Sequence, residues 1–320
     1  MESIRMGIVG SGGMARSRAA AFSGLERCEV VAVAARNRET GAELANKHKL
    51  QLVPDWQRLV DCDDVDAVAV CTNNDSHAAV ASAALEAGKH VFLEYPLSRL
   101  LEDGERLVKL ALDSGCVLRI AHDEAYSAQH LALKRAASDM GQLLNAVFIR
   151  LTPGRGSRPE MLFNLNVSGP PALFFVYQIY PLVDLFGPAE WVEGYADYVG
   201  LGEDGRYDRF VNTVTLQFQS GGHAQWNWAG GIAIEKAEQY QRLVMSEGTI
   251  IKESSGWICS TAGGVEAIEA DESESRDLEE VFLDEVIEGS EQWRADLATS
   301  LDALRISLGA ERAASEGVML

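Results

Sequence analysis

The chain has 320 residues, of which 47% are hydrophobic, enough to support a packed core in two domains or in one domain with a large appended sheet. Its formal net charge is −20, with 14 Lys/Arg against 17 Asp/Glu in residues 1–120 and 14 against 31 in residues 121–320. That balance lacks the positive field that phosphate partners require, so nucleic acid and anionic membranes are not expected partners. No apolar run approaches the ~18 residues of a membrane span. The opening MESIRMGIVG runs straight into a strand without a signal-peptide pattern, so the expected location is cytoplasmic. Cys28, Cys62, Cys71, Cys116 and Cys259 are scattered, with no CxxC pair and no His at ligand spacing. Reduced thiols and no metal are expected.

The first half alternates short apolar runs with helical patterns, the signature of a parallel sheet with crossover helices. The predicted strands are RMGIVG, EVVAVAA, VDAVAVCT, KHVFLE and VLRIAH, and helices are predicted over Met14–Ser23, Glu39–Lys47, His77–Ala87 and Leu101–Ser114. The pattern changes near residue 121. A helix over Ala125–Ser138 leads into NAVFIRLTP, and FVNTVTLQFQ, GHAQWNWAG and QRLVMSEGTIIKES read as longer, alternating strands of a mostly antiparallel sheet. The acidic stretch Glu266–Glu291 reads as a solvated helix face, and the tail Leu278–Ala314 as helical. The fold class is therefore α/β: a doubly wound parallel sheet over residues 1–121, then an α+β domain with an open sheet over 122–320. The C-terminal helix is free in this scheme to pack back on the first domain.

Gly10-Ser11-Gly12-Gly13-Met14-Ala15 fits G-x-G-x-x-G/A directly after a strand and at the start of a helix, the context that gives this pattern meaning. Gly10 allows the tight turn and Gly12 the approach of a pyrophosphate. Ala15 allows close packing of helix on strand. At the end of the second strand an NAD site usually carries Asp or Glu. Here the residues are Ala34-Ala35-Arg36-Asn37-Arg38, and guanidinium forks at Arg36 and Arg38 suit a 2′-phosphate. NADP(H) is the expected cofactor. The alternative is that the two arginines only open a surface helix.

Val70-Cys71-Thr72-Asn73-Asn74-Asp75-Ser76-His77 before a helix, and GKHVFLEYP after it, complete an ordered set of three motifs. The set resembles the glucose–fructose oxidoreductase and inositol dehydrogenase family, Gfo/Idh/MocA, over nearly the whole chain. The resemblance implies a Rossmann domain followed by an open antiparallel sheet domain, with the nicotinamide in the cleft between them. It implies Thr72, Asn73, Asn74, His77, Glu94 and Pro96 as cofactor contacts beside Gly10, Gly12, Gly13, Met14, Ala15, Arg36 and Arg38. Where sugar-oxidising members usually have Glu-Lys-Pro, this chain has Glu94-Tyr95-Pro96, which resembles the biliverdin reductases. A phenol supplies a neutral donor where lysine supplies a cation. On the same alignment Tyr177 and Pro181 stand where the family's Asp/His pair should be, ahead of Asp184-Leu185-Phe186-Gly187.

Tyr95, Glu94 and His122 are the expected catalytic residues, although His122 reads equally as a strand-end histidine. Glu124, Arg150, Arg155, Tyr177 and Gln178 are expected to meet substrate. Gln178 and Pro181 stand where biliverdin reductases tend to carry arginines, and Arg150, Arg155 and Arg158 are possible substitutes. The equal alternative is a solvated loop. Phe163, Phe174, Phe175, Tyr177 and Tyr180, with Trp226 and Trp228, would suit a flat ligand, but such spacings also serve core packing. The expected activity is NADPH-dependent delivery of hydride to the central methine carbon of a linear tetrapyrrole. The alternatives are a sugar or polyol dehydrogenase, or a non-catalytic NADP(H)-binding sensor. The expected assembly is a monomer or a homodimer through the C-terminal sheet.

Overall fold

A computed structural model describes residues 3–153 and 163–316. The chain divides into two compact units, one of residues 1–123 with 276–301 and the other of 124–275 with 302–320.

The first unit holds a parallel sheet of six strands: β1 (Ile4–Val9), β2 (Cys28–Ala34), β3 (Gln51–Val53), β4 (Ala67–Val70), β5 (His90–Leu93) and β6 (Leu118–Ile120). Their order is β3-β2-β1-β4-β5-β6. Helices α1 (Gly13–Ser23), α2 (Arg38–His48), α3 (Trp56–Val60), α4 (His77–Glu86) and α5 (Leu101–Ser114) form the crossovers. β1, β4 and β5 are almost wholly buried apolar runs, as a sheet covered on both faces requires. β3 had no sequence signal, because three residues are too few for a period to register.

The second unit opens with α6 (Ala128–Asp139). Its eight-stranded sheet comprises β7 (Leu143–Pro153), β8 (Ala189–Val199), β9 (Arg209–Phe218), β10 (His223–Ile232), β11 (Glu238–Met245), β12 (Gly248–Glu253), β13 (Gly256–Thr261) and β14 (Gly264–Ala267). The order is β14-β13-β12-β11-β7-β10-β9-β8, antiparallel except for β7 beside β10. Helices α7 (Pro171–Phe174) and α8 (Val176–Phe186) follow β7 in the chain. Ala224, Trp226 and Trp228 alternate inward along β10, and both indoles are fully buried.

The predicted helical tail is two helices, α9 (Leu278–Glu288) and α10 (Gln292–Glu316), parted at Gly289, whose φ of +76° favours glycine. The division between units falls within α10. The reading of the acidic stretch as a solvated face is corrected for two residues. Glu279 and Glu285 of α9 are buried, each held by an arginine of the first unit. Arg18 pairs with Glu279 and Arg119 with Glu285, while Phe22, Phe92 and Phe282 meet edge-to-face at 5.3–6.1 Å. A 3.6-residue period shows which face is apolar but not which acids on it meet a buried cation.

Candidate active site

The parallel register brings several loops to one edge of the first sheet. Gly10 N donates to Ala34 O, Cys71 N to Val9 O, Glu94 N to Val70 O and Ala121 N to Leu93 O. The loops after β1, β4, β5 and β6 thus begin side by side. Strand order reverses between β1 and β4, and open α/β sheets bind ligands at such a point.

Gly10 has φ +125°, and a Cβ there would lie 2.3 Å from the Cys71 carbonyl oxygen, so the turn demands glycine. Gly12 caps α1 with extended backbone and no side-chain hydrogen bond, and a Cβ on Gly13 would meet nothing within 4 Å. The first-turn amides of α1 are therefore available to a pyrophosphate, and the residues fit a dinucleotide. Ala15 is fully buried, while Met14 beside it is exposed. Ser11 Oγ lies 2.7 Å from Thr40 Oγ1, which ties the glycine loop to the start of α2. The Asn37 side chain caps α2 by accepting from Glu39 N and Thr40 N. Arg36 and Arg38 flank this cap, both exposed, and neither enters an ion pair among the described residues.

Thr72, Asn73 and Asn74 are half-buried in the loop after β4. His77 is fully buried. Its Nδ1 is 2.8 Å from Pro96 O and its Nε2 is 3.3 Å from Thr72 O, and burial pushes the imidazole toward the neutral form. It braces the loop carrying Thr72 against the one carrying Pro96. The Tyr95–Pro96 peptide is cis, and the half-buried Tyr95 ring stacks on His122 at 5.8 Å and 12°. Burial, aided by the Arg119 charge, pushes His122 down to about 3, so it is neutral near pH 7. Glu94 is buried and paired at 2.7 Å with Arg18, which also holds Glu279 at 2.8 Å and Asp123 at 2.9 Å. Burial raises the Glu94 carboxyl, and Arg18 opposes the rise.

In the second unit, Glu124, Arg150, Tyr177 and Gln178 line one cavity of about 250 Å³. Register explains part of the wall. Phe148 faces Gln241, Arg150 faces Gln239 and Lys252 faces Trp257 across neighbouring strands. Arg150 Nη1 donates to Gln239 Oε1 at 3.3 Å, and Lys252 Nζ lies over the Trp257 ring. Burial raises the Tyr177 phenol, against the pull of Arg150, so it is a neutral donor. The Gln178 carbonyl accepts from Trp226 Nε1 and its side-chain Oε1 accepts from Trp228 Nε1 at 2.6 Å, which pins α8 to the sheet. Arg155 and Arg158 lie outside the described residues.

The aromatic expectation needs correction. Phe163, Phe175, Tyr180, Trp226 and Trp228 are buried core, and of the seven aromatics named only Tyr177 lines the cavity. Sequence reasoning also missed His130, Lys252 and Trp257 on the wall. His130 is buried with Nε2 2.7 Å from Asp184 Oδ2, a pairing across 54 residues that no local motif announces.

Comparison with known proteins matches residues 4–122 to the model of an oxidoreductase family with an NAD-binding Rossmann fold, Gfo/Idh/MocA. A 1,5-anhydro-D-fructose reductase of Ensifer adhaerens is 32% identical over 237 residues, covering 70% of this chain and 68% of that protein. The chain belongs to the Gfo/Idh/MocA family. As a family member it is an NAD(P)-dependent oxidoreductase, and its two sheets are the family fold. An inositol 2-dehydrogenase/D-chiro-inositol 3-dehydrogenase of Halalkalibacterium halodurans is 31% identical over 140 residues, 42% of this chain and 40% of that one. A crystal structure of biliverdin reductase with biliverdin and NADP⁺ from Synechocystis sp. PCC 6803 superposes with a TM-score of 0.88. It is 26% identical, with 98% of this chain and 99% of that chain covered. Among the described residues no helix is long and apolar enough to cross a membrane.

Proposed function

We propose that this Gfo/Idh/MocA member is an NADPH-dependent reductase of a linear tetrapyrrole of the biliverdin type. The observation that carries the reading is the cavity of the second unit. Phe148, Tyr177, Trp257 and Leu133 give it flat apolar surface, while Arg150 and Lys252 supply cations for carboxylate side chains. A polyol is recognised by many directional hydrogen bonds, and its oxidation needs a group to take the hydroxyl proton. Pro181 and Tyr177, the two residues aligned with the family's Asp/His pair, do not take it, since proline cannot and Tyr177 is held neutral. The likeness to a structure holding biliverdin and NADP⁺ supports the same reading. At about 250 Å³ the cavity is smaller than the ~300–1,000 Å³ of typical small-molecule sites, so it receives one part of a long ligand.

The cofactor would be held by the α1 amides, Thr72–Asn74 and Pro96, with Arg36 and Arg38 on a 2′-phosphate. When bound, it supplies hydride. Tyr95, stacked on neutral His122 and next to the anchored Glu94, orients the acceptor as a hydrogen-bond donor. The likeness to the 1,5-anhydro-D-fructose reductase favours a second reading, reduction of a sugar ketone.

Equilibrium titration separates the two. Biliverdin should acquire visible circular dichroism on binding, because the cavity selects one twisted conformer. Millimolar 1,5-anhydrofructose or myo-inositol should leave that signal in place. Binding of either sugar without any bilin signal would reverse the assignment.

A further inference from the structure

His130 on the cavity wall joins a titratable ring to a carboxylate. Its side chain is 2% exposed, and Nε2 lies 2.7 Å from Asp184 Oδ2, where it donates. Asp184 is also held by Lys134 Nζ at 2.9 and 3.0 Å. Its carboxyl sits below the usual range: burial pushes it up, and the His130 and Lys134 hydrogen bonds outweigh that push. Asp184 is therefore an anion that fixes the ring through a hydrogen bond. With Nε2 committed, Nδ1 has no partner among the described residues, and the ring borders the cavity. A histidine oriented by a carboxylate through one nitrogen presents the other for proton transfer.

We propose that His130 is the proton donor of the reductive reaction, with Asp184 as its positioning residue and Lys134 holding Asp184. The inference rests on the cavity being the substrate site of the proposed reductase. Bound reduced nicotinamide would supply two electrons and a hydrogen as hydride, its own C–H bond breaking as one forms at the methine carbon. The conjugated π pair shifts to a pyrrole-type nitrogen, which takes one proton as the His130 Nδ1–H bond breaks. The imidazole regains that proton from water, admitted beside Asp184, whose side chain is 20% exposed. Bilin, reduced cofactor and one proton thus become reduced bilin and oxidised cofactor. Tyr177, kept as a neutral phenol, contributes orientation.

His130→Gln tests this without breaking the fold. The amide can still donate to Asp184, and Lys134 keeps that carboxylate paired. Turnover of biliverdin by NADPH should fall roughly 100-fold or more in kcat, with KM within a few-fold. Asp184→Asn should lower kcat less. Imidazole added to His130→Ala should restore part of the rate. Retention of kcat in His130→Gln, with NADPH binding intact, would overturn the role of His130 alone. Failure of the wild type to reduce biliverdin would overturn the reading beneath it and the inference together.

Discussion

Arg36 and Arg38 stand where β2 gives way to α2, and both are solvent-exposed. Ser11 and Thr40 fix the loop between them and the glycine turn. Each guanidinium is free of ion pairs among the described residues, so a 2′-phosphate would gain charge-assisted hydrogen bonds without displacing an internal partner. Replacing both with Ala should weaken NADPH by roughly ten- to a hundredfold, from a loss of ~1.5–3 kcal/mol. NADH binding should be nearly unchanged. Fluorescence titration of both cofactors checks this, and equal losses would assign the arginines to α2 alone. The places of the glycine turn and of the two arginines were legible at the residue scale, because they follow strands that announce themselves. Neutrality at His122 was not legible, since it comes from burial and from Arg119, a neighbour on β6.

Among the elements, α1 and α9 carry a charge cluster that sets the frame of the site. Arg18 on α1 binds Glu94 after β5, Glu279 on α9 and Asp123 after β6. Removing the cation by Arg18→Met leaves Glu94 and Glu279 buried without it, which typically costs about 3–5 kcal/mol. The pH dependence has a definite sign. Glu94 is already raised by burial in the folded state, and losing Arg18 raises it further. Such a group loses stability as pH rises through its folded value, so the deficit of the variant should be larger near pH 8 than near pH 5. Urea denaturation at the two pH values measures it. An equal deficit at both would mean that Arg18 acts through packing on Phe92 rather than through charge. Existence and order of the main elements were readable from their periods. The partner of Glu279 was not, because Arg18 lies 261 residues away along the chain.

At the scale of the whole molecule, residues 121–320 carry most of the negative charge, yet Arg150 and Lys252 are kept on one cavity wall. Cations retained inside an acidic sheet domain would stabilise the carboxylate of the proposed ligand. The family and both sheets were legible from three ordered motifs and a change of period. Substrate choice was not, because the wall is assembled from α6, α8, β7, β11, β12 and β13, each contributing one to four residues. Register and helix phase create that wall. The most direct test of the account is an anaerobic absorbance assay with NADPH and biliverdin, run beside 1,5-anhydrofructose and inositols. The account predicts that the red bilin band disappears as a bilirubin-like band rises toward the blue, with one NADPH oxidised per bilin and no turnover of the sugars. Reduction of 1,5-anhydrofructose, or oxidation of an inositol, with biliverdin left unchanged would contradict it.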